Sequence, residues 1–172
     1  MEQLTINAQP NAPVFRLSST SAIDFCTTLH AWLLDDDLGC TIYSGAMNTG
    51  EGSIYGETYL DMEAIIRVMK GAGSNLVAQL SNSARVADIA YELEQLMNAH
   101  APAYCYFGAV QSADKSTWEW GYWVAEEQIA ADAKSGELRL VPQVVKPRYC
   151  LVESPNMRTL YLGNDVIWSV ED

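Results

Sequence analysis

The chain has 172 residues, 49% of them apolar and 19% charged, with 22 acidic against 10 basic side chains and a formal net charge of −12. That composition supports a packed core and excludes a disordered chain. The acid excess excludes a binder of phosphate backbones, which needs clustered Lys and Arg, and suits a protein that meets a basic surface.

At this length the expectation is one globular domain over residues 1–172, burying roughly 70% of its unfolded surface. The charge is spread thinly: −4 over residues 1–50, −4 over 51–100, −3 over 101–136 and −1 over 137–172. A nucleic-acid mimic calls for denser acid. MEQLTINAQPNAPVF has no basic stretch leading into an apolar one, so no export leader is expected. No apolar run approaches the ~18–20 residues of a membrane span. Cys26, Cys40, Cys105 and Cys150 form no C-x-x-C pair, and are expected to be reduced thiols in a cytoplasm.

Residues 3–6 and 14–17 read as short strands separated by the break at Pro10–Pro13. Ser19, Thr20 and Ser21 offer N-caps for a helix over about 21–36. Ile23, Cys26, His30 and Leu33 share one face of it, with Phe25, Leu29 and Trp32 beside them, so the helix is expected to be central. It is expected to end in Asp35, Asp36 and Asp37, with Gly39 as its stop. Three carboxylates at a helix C-terminus face the negative end of the dipole, at a cost of roughly 0.3–1 kcal/mol each when exposed. The plain reading is a solvated acidic turn; a rule broken without visible compensation can also mark a functional patch, either a docking surface for a basic partner or a divalent-cation site. A calcium loop would need D-x-[DN]-x-[DN]-G spacing, which is missing.

CTIY then reads as the opening of a strand, followed by a connection rich in glycine at Gly45, Gly50, Gly52 and Gly56. Without G-K-[ST], and with Glu51, Glu57 and Asp61 nearby, this is a turn and not a phosphate cradle. A second helix is expected over about 58–70, with Tyr59, Met62, Ile66 and Met69 inward. Asn75–Leu80 reads as a strand or a helical turn. The third helix, about 84–99 with Ser83 as N-cap, has the clearest period: Val86, Ile89, Ala90, Leu93, Leu96 and Met97. Pro102 stops it.

Residues 103–125 organise the rest. AYCYFGAV and WEWGYWVA flank a polar turn, which reads as a β-hairpin. Trp118, Trp120, Tyr122 and Val124 share one face; Thr117, Glu119, Gly121 and Trp123 share the other. Tyr104, Tyr106, Gly108 and Val110 lie opposite Cys105, Phe107 and Ala109. Large aromatic side chains bury roughly 150–250 Å² each, so the aromatic face meets a core, or Trp123 and its neighbours anchor a partner. AEEQIAADAKSG reads as a short helix with acid in its first turn. ELRLV, RYCLVE and RTLYLGNDVIWSV read as strands, with a turn at Gly163-Asn164.

Chemistry is sparse. Cys26 and His30, one turn apart, are the one nucleophile–base pair near in sequence. With Cys40 they fall short of a zinc set, lacking a fourth ligand at known spacing. Burial makes Cys26 an inert thiol. His100 suits the end of its helix. There is no G-x-S-x-G elbow, and Glu126 and Glu127 point to different sides of a helix. No catalytic residue, metal or cofactor is assigned.

Tyr104, Tyr106, Phe107 and Gly108, then Val152, Thr159, Leu160 and Tyr161, then Trp168, Ser169 and Val170 carry a likeness. Over about the last 70 residues the chain resembles proteins encoded by phages and plasmids to which no activity is assigned. Those share a Y-x-Y-F-G arm, a V-N-D-H-G-N-x-T-L-Y segment and an x-W-S-V end. Here Ser154-Pro155-Asn156-Met157 replaces the D-H-G-N centre. The resemblance implies a mobile-element origin and supplies no chemistry.

The sequence therefore leads to an α+β fold: a mainly antiparallel sheet with a central aromatic hairpin, packed by about three helices. The expected function is that of a small acidic cytoplasmic protein-binding factor, an inhibitor, immunity or anti-defence protein of a mobile element. Its partner would be a protein with a basic surface, with no direct nucleic-acid contact and no membrane. Asp35, Asp36, Asp37, Trp118, Trp120 and Trp123 are the candidate partner-binding residues. The alternatives are an enzyme with a composite site near Cys26, His30 and the hairpin, or a structural component that self-associates into homo-oligomers.

Overall fold

The structure, a computed structural model, describes residues 9–47, 54–71, 74–138, 148–163 and 165–171. In chain order they form β1 (Ala12–Leu17), α1 (Ala22–Asp35), α2 (Asp37–Met47), α3 (Ile54–Met69), α4 (Ser74–Ser81) and α5 (Ala84–Ala99). Then follow β2 (Cys105–Gln111), β3 (Trp118–Val124), α6 (Glu126–Ser135), β4 (Tyr149–Ser154), β5 (Met157–Leu162) and β6 (Asp165–Glu171). This is the expected α+β fold. Its antiparallel strands form two three-stranded sheets, ordered β1-β3-β2 and β4-β5-β6, and its described helices number six where about three were expected. The expected strand at 3–6, and ELRLV from residue 139 on, lie outside the described residues.

Two compact units emerge. One comprises Met1–Val14, Ala101–Gly108 and Gly121–Asp172; the other comprises Phe15–His100 and Ala109–Trp120. We call the second the helical unit.

In the helical unit, α1 buries Ile23, Phe25, Cys26, Leu29, His30 and Leu33, the face read from the sequence. It packs on α2, α3 and α5. Its end departs from expectation. Asp36 turns extended (φ −90°, ψ 138°) and its N–H still donates to the Trp32 carbonyl. Its Oδ1 accepts from the N–H of Leu38 at 2.9 Å and of Gly39 at 3.4 Å. Asp36 thus closes α1 and caps α2, and Asp37 lies in the first turn of α2. Asp36 and Asp37 therefore sit at the N-terminus of α2, where negative charge is stabilising, while Asp35 remains the last residue of α1 and still faces its negative end.

CTIY is likewise helical, not a strand. Thr41, Ile42 and Tyr43 are modest helix formers, but Ile42, Tyr43 and Ala46 are buried. Tertiary burial outweighs local preference here. Gly39 is no stop signal. A Cβ there would lie 2.6 Å from the Trp32 carbonyl oxygen, so the bare backbone permits the close approach of α2 to α1.

The segment 75–80 resolves as helix α4. α5 matches its expected bounds, with Ser83 Oγ accepting from the Val86 N–H at 3.2 Å. At its far end His100 Nδ1 hydrogen-bonds the Leu96 carbonyl at 2.9 Å, the capping role expected of it. α3 packs along α5, where Arg85 bridges Asp61 (2.7 Å) and Glu92 (3.1 Å) and the Thr58 hydroxyl donates to Glu92.

In the other unit, Leu151, Leu160 and Trp168 lie in one row across β4, β5 and β6. They join Val124, Ile129, Leu138 and Val170 in a buried cluster. The Trp168 Nε1–H donates to the Ala103 carbonyl at 2.7 Å. The adjoining Tyr104 holds a left-handed φ of 59°, costly for a bulky residue. Its hydroxyl donates to Asp132 on α6 at 2.9 Å, and its ring meets Tyr149 edge-on at 5.5 Å. Those contacts fix the strained residue. Among the described residues no helix is long and apolar enough to cross a membrane.

Candidate functional site

The three groups singled out in the sequence fall in different surroundings. Residues of the hairpin come first. Alternation along β3 puts Trp118 and Trp120 on one face. In the helical unit, Trp120 stacks with Phe15 of β1 at 6.2 Å between ring centroids, and its ring lies 4.3 Å from that of Phe25 on α1. These rings do not close the space beneath them. A cavity of about 190 Å³ remains, walled by Leu17, Phe25, Ala109, Trp118 and Trp120. Ser19, Thr20 and Ser21, at the start of α1, form its polar edge.

Trp123 is placed differently. It is half-buried, and its Nε1–H donates to the Gly108 carbonyl at 2.9 Å across the hairpin. Trp118 and Trp120 are half-buried as well. Deeper still in the same unit as Trp123, Phe107 and Tyr122 are buried and meet edge to face at 5.5 Å. Much of the aromatic face therefore serves packing.

Asp35, Asp36 and Asp37 are all exposed, at the corner between α1 and α2. Leu34, immediately before them, is 41% exposed. The corner thus presents three carboxylates next to an accessible apolar side chain.

His30 and Cys26 are both buried on α1, but their polar contacts diverge. The His30 ring lies between Tyr43 Oη (2.9 Å from Nδ1) and Glu63 Oε1 (3.1 Å from Nε2), with the Tyr59 ring 5.5 Å away. A carboxylate only accepts, so Nε2 carries the proton. In the neutral imidazole Nδ1 then accepts from the Tyr43 hydroxyl. Burial, with Tyr59, Cys26 and Glu63 nearby, pushes the Tyr43 phenol upward, so it stays a neutral donor. The Cys26 thiol instead donates to the Val86 carbonyl at 3.7 Å, and burial pushes it up to about 12. A thiol so placed is a poor nucleophile at neutral pH.

Tyr43, Tyr59 and Glu63 were not singled out in the sequence as partners of His30. Tyr43 was hidden by the strand reading of CTIY. Glu63 sits beside the apolar stripe of α3, and only the tertiary fold brings it to His30. Cys40, the third member of the considered zinc set, is exposed and bonds the Leu34 carbonyl. Among the described residues no group of three His, Cys, Asp or Glu is placed to hold a metal ion.

Comparison of the chain with protein-family models, with curated proteins and with solved structures returns no match.

Proposed function

We propose that this chain is a protein-binding factor whose helical unit docks on a basic surface of another protein. The observation that carries the reading is the α1–α2 corner: exposed Asp35, Asp36 and Asp37 beside half-accessible Leu34. The surrounding charge agrees with it. The helical unit holds 13 Asp and Glu against 5 Lys and Arg, a net of −8, and the other unit holds 9 against 5, a net of −4. A net charge of one sign steers an oppositely charged partner and raises its association rate. An apolar side chain next to it supplies the desolvated contact that surface charges alone do not. The finer reading is an inhibitor, immunity or anti-defence protein of a mobile element, acting in the cytoplasm. It rests on the resemblance of the last 70 residues to phage and plasmid proteins.

The test uses Asp35→Asn/Asp36→Asn/Asp37→Asn. Asn caps a helix about as well as Asp, so the variant removes three charges and keeps the corner. Wild type and variant are used as bait in nuclease-treated host lysate. A stoichiometric basic protein is expected with wild type, weakened by added salt and lost with the variant. Capture that is equal for both chains and indifferent to salt would overturn the reading.

A further inference from the structure

The cavity under Trp118 and Trp120 has a use that the acidic corner does not explain. Its volume is about 190 Å³. An apolar cavity of about 150 Å³ takes up benzene, so this half-open pocket has room for a single ring with a small substituent. Its walls are aromatic and preformed. Trp120 is held from two sides, by the Phe15 stack and by Phe25. A planar aromatic guest gains offset or edge contacts with such rings that an aliphatic guest of equal area does not.

The polar groups narrow the class further. Trp123 and Trp168 give their indole N–H to backbone carbonyls. Trp118, at the cavity wall, has no hydrogen-bond acceptor among the described residues. Its solvent-accessible indole N–H is left available as a donor, and the Thr20 side chain at the edge carries another. An anionic guest is disfavoured by the net −8 of this unit and by Asp24, which takes the Ser19 hydroxyl at the same edge. A cationic guest meets the positive end of the α1 dipole.

We propose that this cavity is a binding site for a neutral, single-ring aromatic molecule carrying a hydrogen-bond acceptor, of the phenol or aryl-amide kind. The ring lies among Phe25, Trp118 and Trp120, and the acceptor takes the Trp118 N–H.

The probes are p-cresol, toluene and cyclohexanol, titrated into the full chain labelled with ¹⁵N at its tryptophans. The expected result is a saturable shift of the Trp118 and Trp120 indole signals with p-cresol. Cyclohexanol should bind about two- to tenfold more weakly, for want of ring contacts. Trp118→Phe keeps the wall and removes the donor, so the advantage of p-cresol over toluene should vanish while toluene binding survives. Ala109→Leu fills the space and should abolish binding of both, with the remaining indole signals unchanged as proof of folding. The proposal is overturned by shifts that never saturate, by binding that survives Ala109→Leu, or by a p-cresol advantage that persists in Trp118→Phe. Tighter binding of a Gly-Tyr-Gly peptide than of p-cresol would assign the site to a partner's side chain and overturn the free-ligand form.

Discussion

Gly39 of α2 lies against Trp32 of α1 so closely that a Cβ on the glycine would sit 2.6 Å from the tryptophan's carbonyl oxygen and 2.7 Å from the Leu33 Cα. Both opposing atoms are backbone, which has no rotamer to yield. Gly39→Ala would gain about 1 kcal/mol of helix propensity, but overpacking typically costs ~1–3 kcal/mol. The middle of that range leaves a net loss of about 1 kcal/mol, read as a lower urea midpoint at unchanged slope. An unchanged or raised midpoint would mean that α2 slides freely on α1.

The cap at Asp36 gives a second prediction. Its Oδ1 serves the N–H groups of Leu38 and Gly39. Asp36→Ala should cost about 0.5–2 kcal/mol, and Asp36→Asn only a few tenths. Thermal melts of the two variants separate capping from charge. Equal losses would show that the carboxylate's charge, and not its acceptor oxygen, holds the corner.

The polar contact at His30 should show the asymmetry of buried hydrogen bonds. His30→Leu leaves the buried Tyr43 hydroxyl without its 2.9 Å partner. The expected cost is about 1–3 kcal/mol. Adding Tyr43→Phe removes the orphan and should restore part of the stability, a coupling that a double-mutant cycle measures directly. Strict additivity of the two substitutions would rule the contact out as a source of stability.

Thiol chemistry should follow burial. Cys40 is exposed, while Cys26 and Cys105 are both pushed up to about 12 by burial and Cys150 is buried. Iodoacetamide at mildly alkaline pH should label Cys40 first, with the other three protected until the chain unfolds. Peptide mass spectrometry gives the order, and early modification of Cys26 would contradict its placement.

The same groups set an alkaline limit. Thiols titrate near pH 8.5 in an unfolded chain, and those of Cys26 and Cys105 near 12 in the fold. Tyr104, half-buried and bonded to Asp132, is also raised to about 12. A raised folded value means the stabilisation is complete below the unfolded value and is lost as pH climbs through the folded one. Urea midpoints should therefore fall steadily above about pH 8.5. On the acid side Asp114 accepts from Ser112 and Ser116 in the hairpin loop, and those bonds hold its carboxyl down at about 2. The loop order it supplies should persist down to that pH, visible in the Ser116 amide signal. A flat alkaline profile, or a Ser116 signal that moves near pH 4, would contradict these assignments.

What the sequence made legible was local. Ser83 followed by Val86, Ile89, Leu93 and Leu96 carries its cap and its period within 16 residues, and α5 appears where that pattern places it. The inward face of α1 and the hairpin arms were legible for the same reason. α2 was not, because Thr41, Ile42 and Tyr43 favour strands locally and become helical through burial of Ile42 and Tyr43. Asp36 was read as ending a helix because a capping carboxylate looks the same whether it closes one helix or opens the next. The division of the strands into two sheets was also hidden, since a period of two fixes faces and not neighbours. Of the site, Trp118 and Trp120 were named as aromatic candidates. The cavity beneath them depends on Phe25 and Ala109, which no spacing connects to them.

The capping of α2 by Asp36 has a bearing on how this chain is free to change over generations. A carboxylate that closes a helix is retained by selection for folding, whether or not any partner reads its charge. Substitution to Asn is the cheap exit, since it discharges the position and spares the cap. Asp35 and Asp37, which hold no such cap bond to α2, are the freer dials. Lineages that gain or lose a basic partner should therefore differ first at residues 35 and 37, while residue 36 drifts only between Asp and its fellow capping residues.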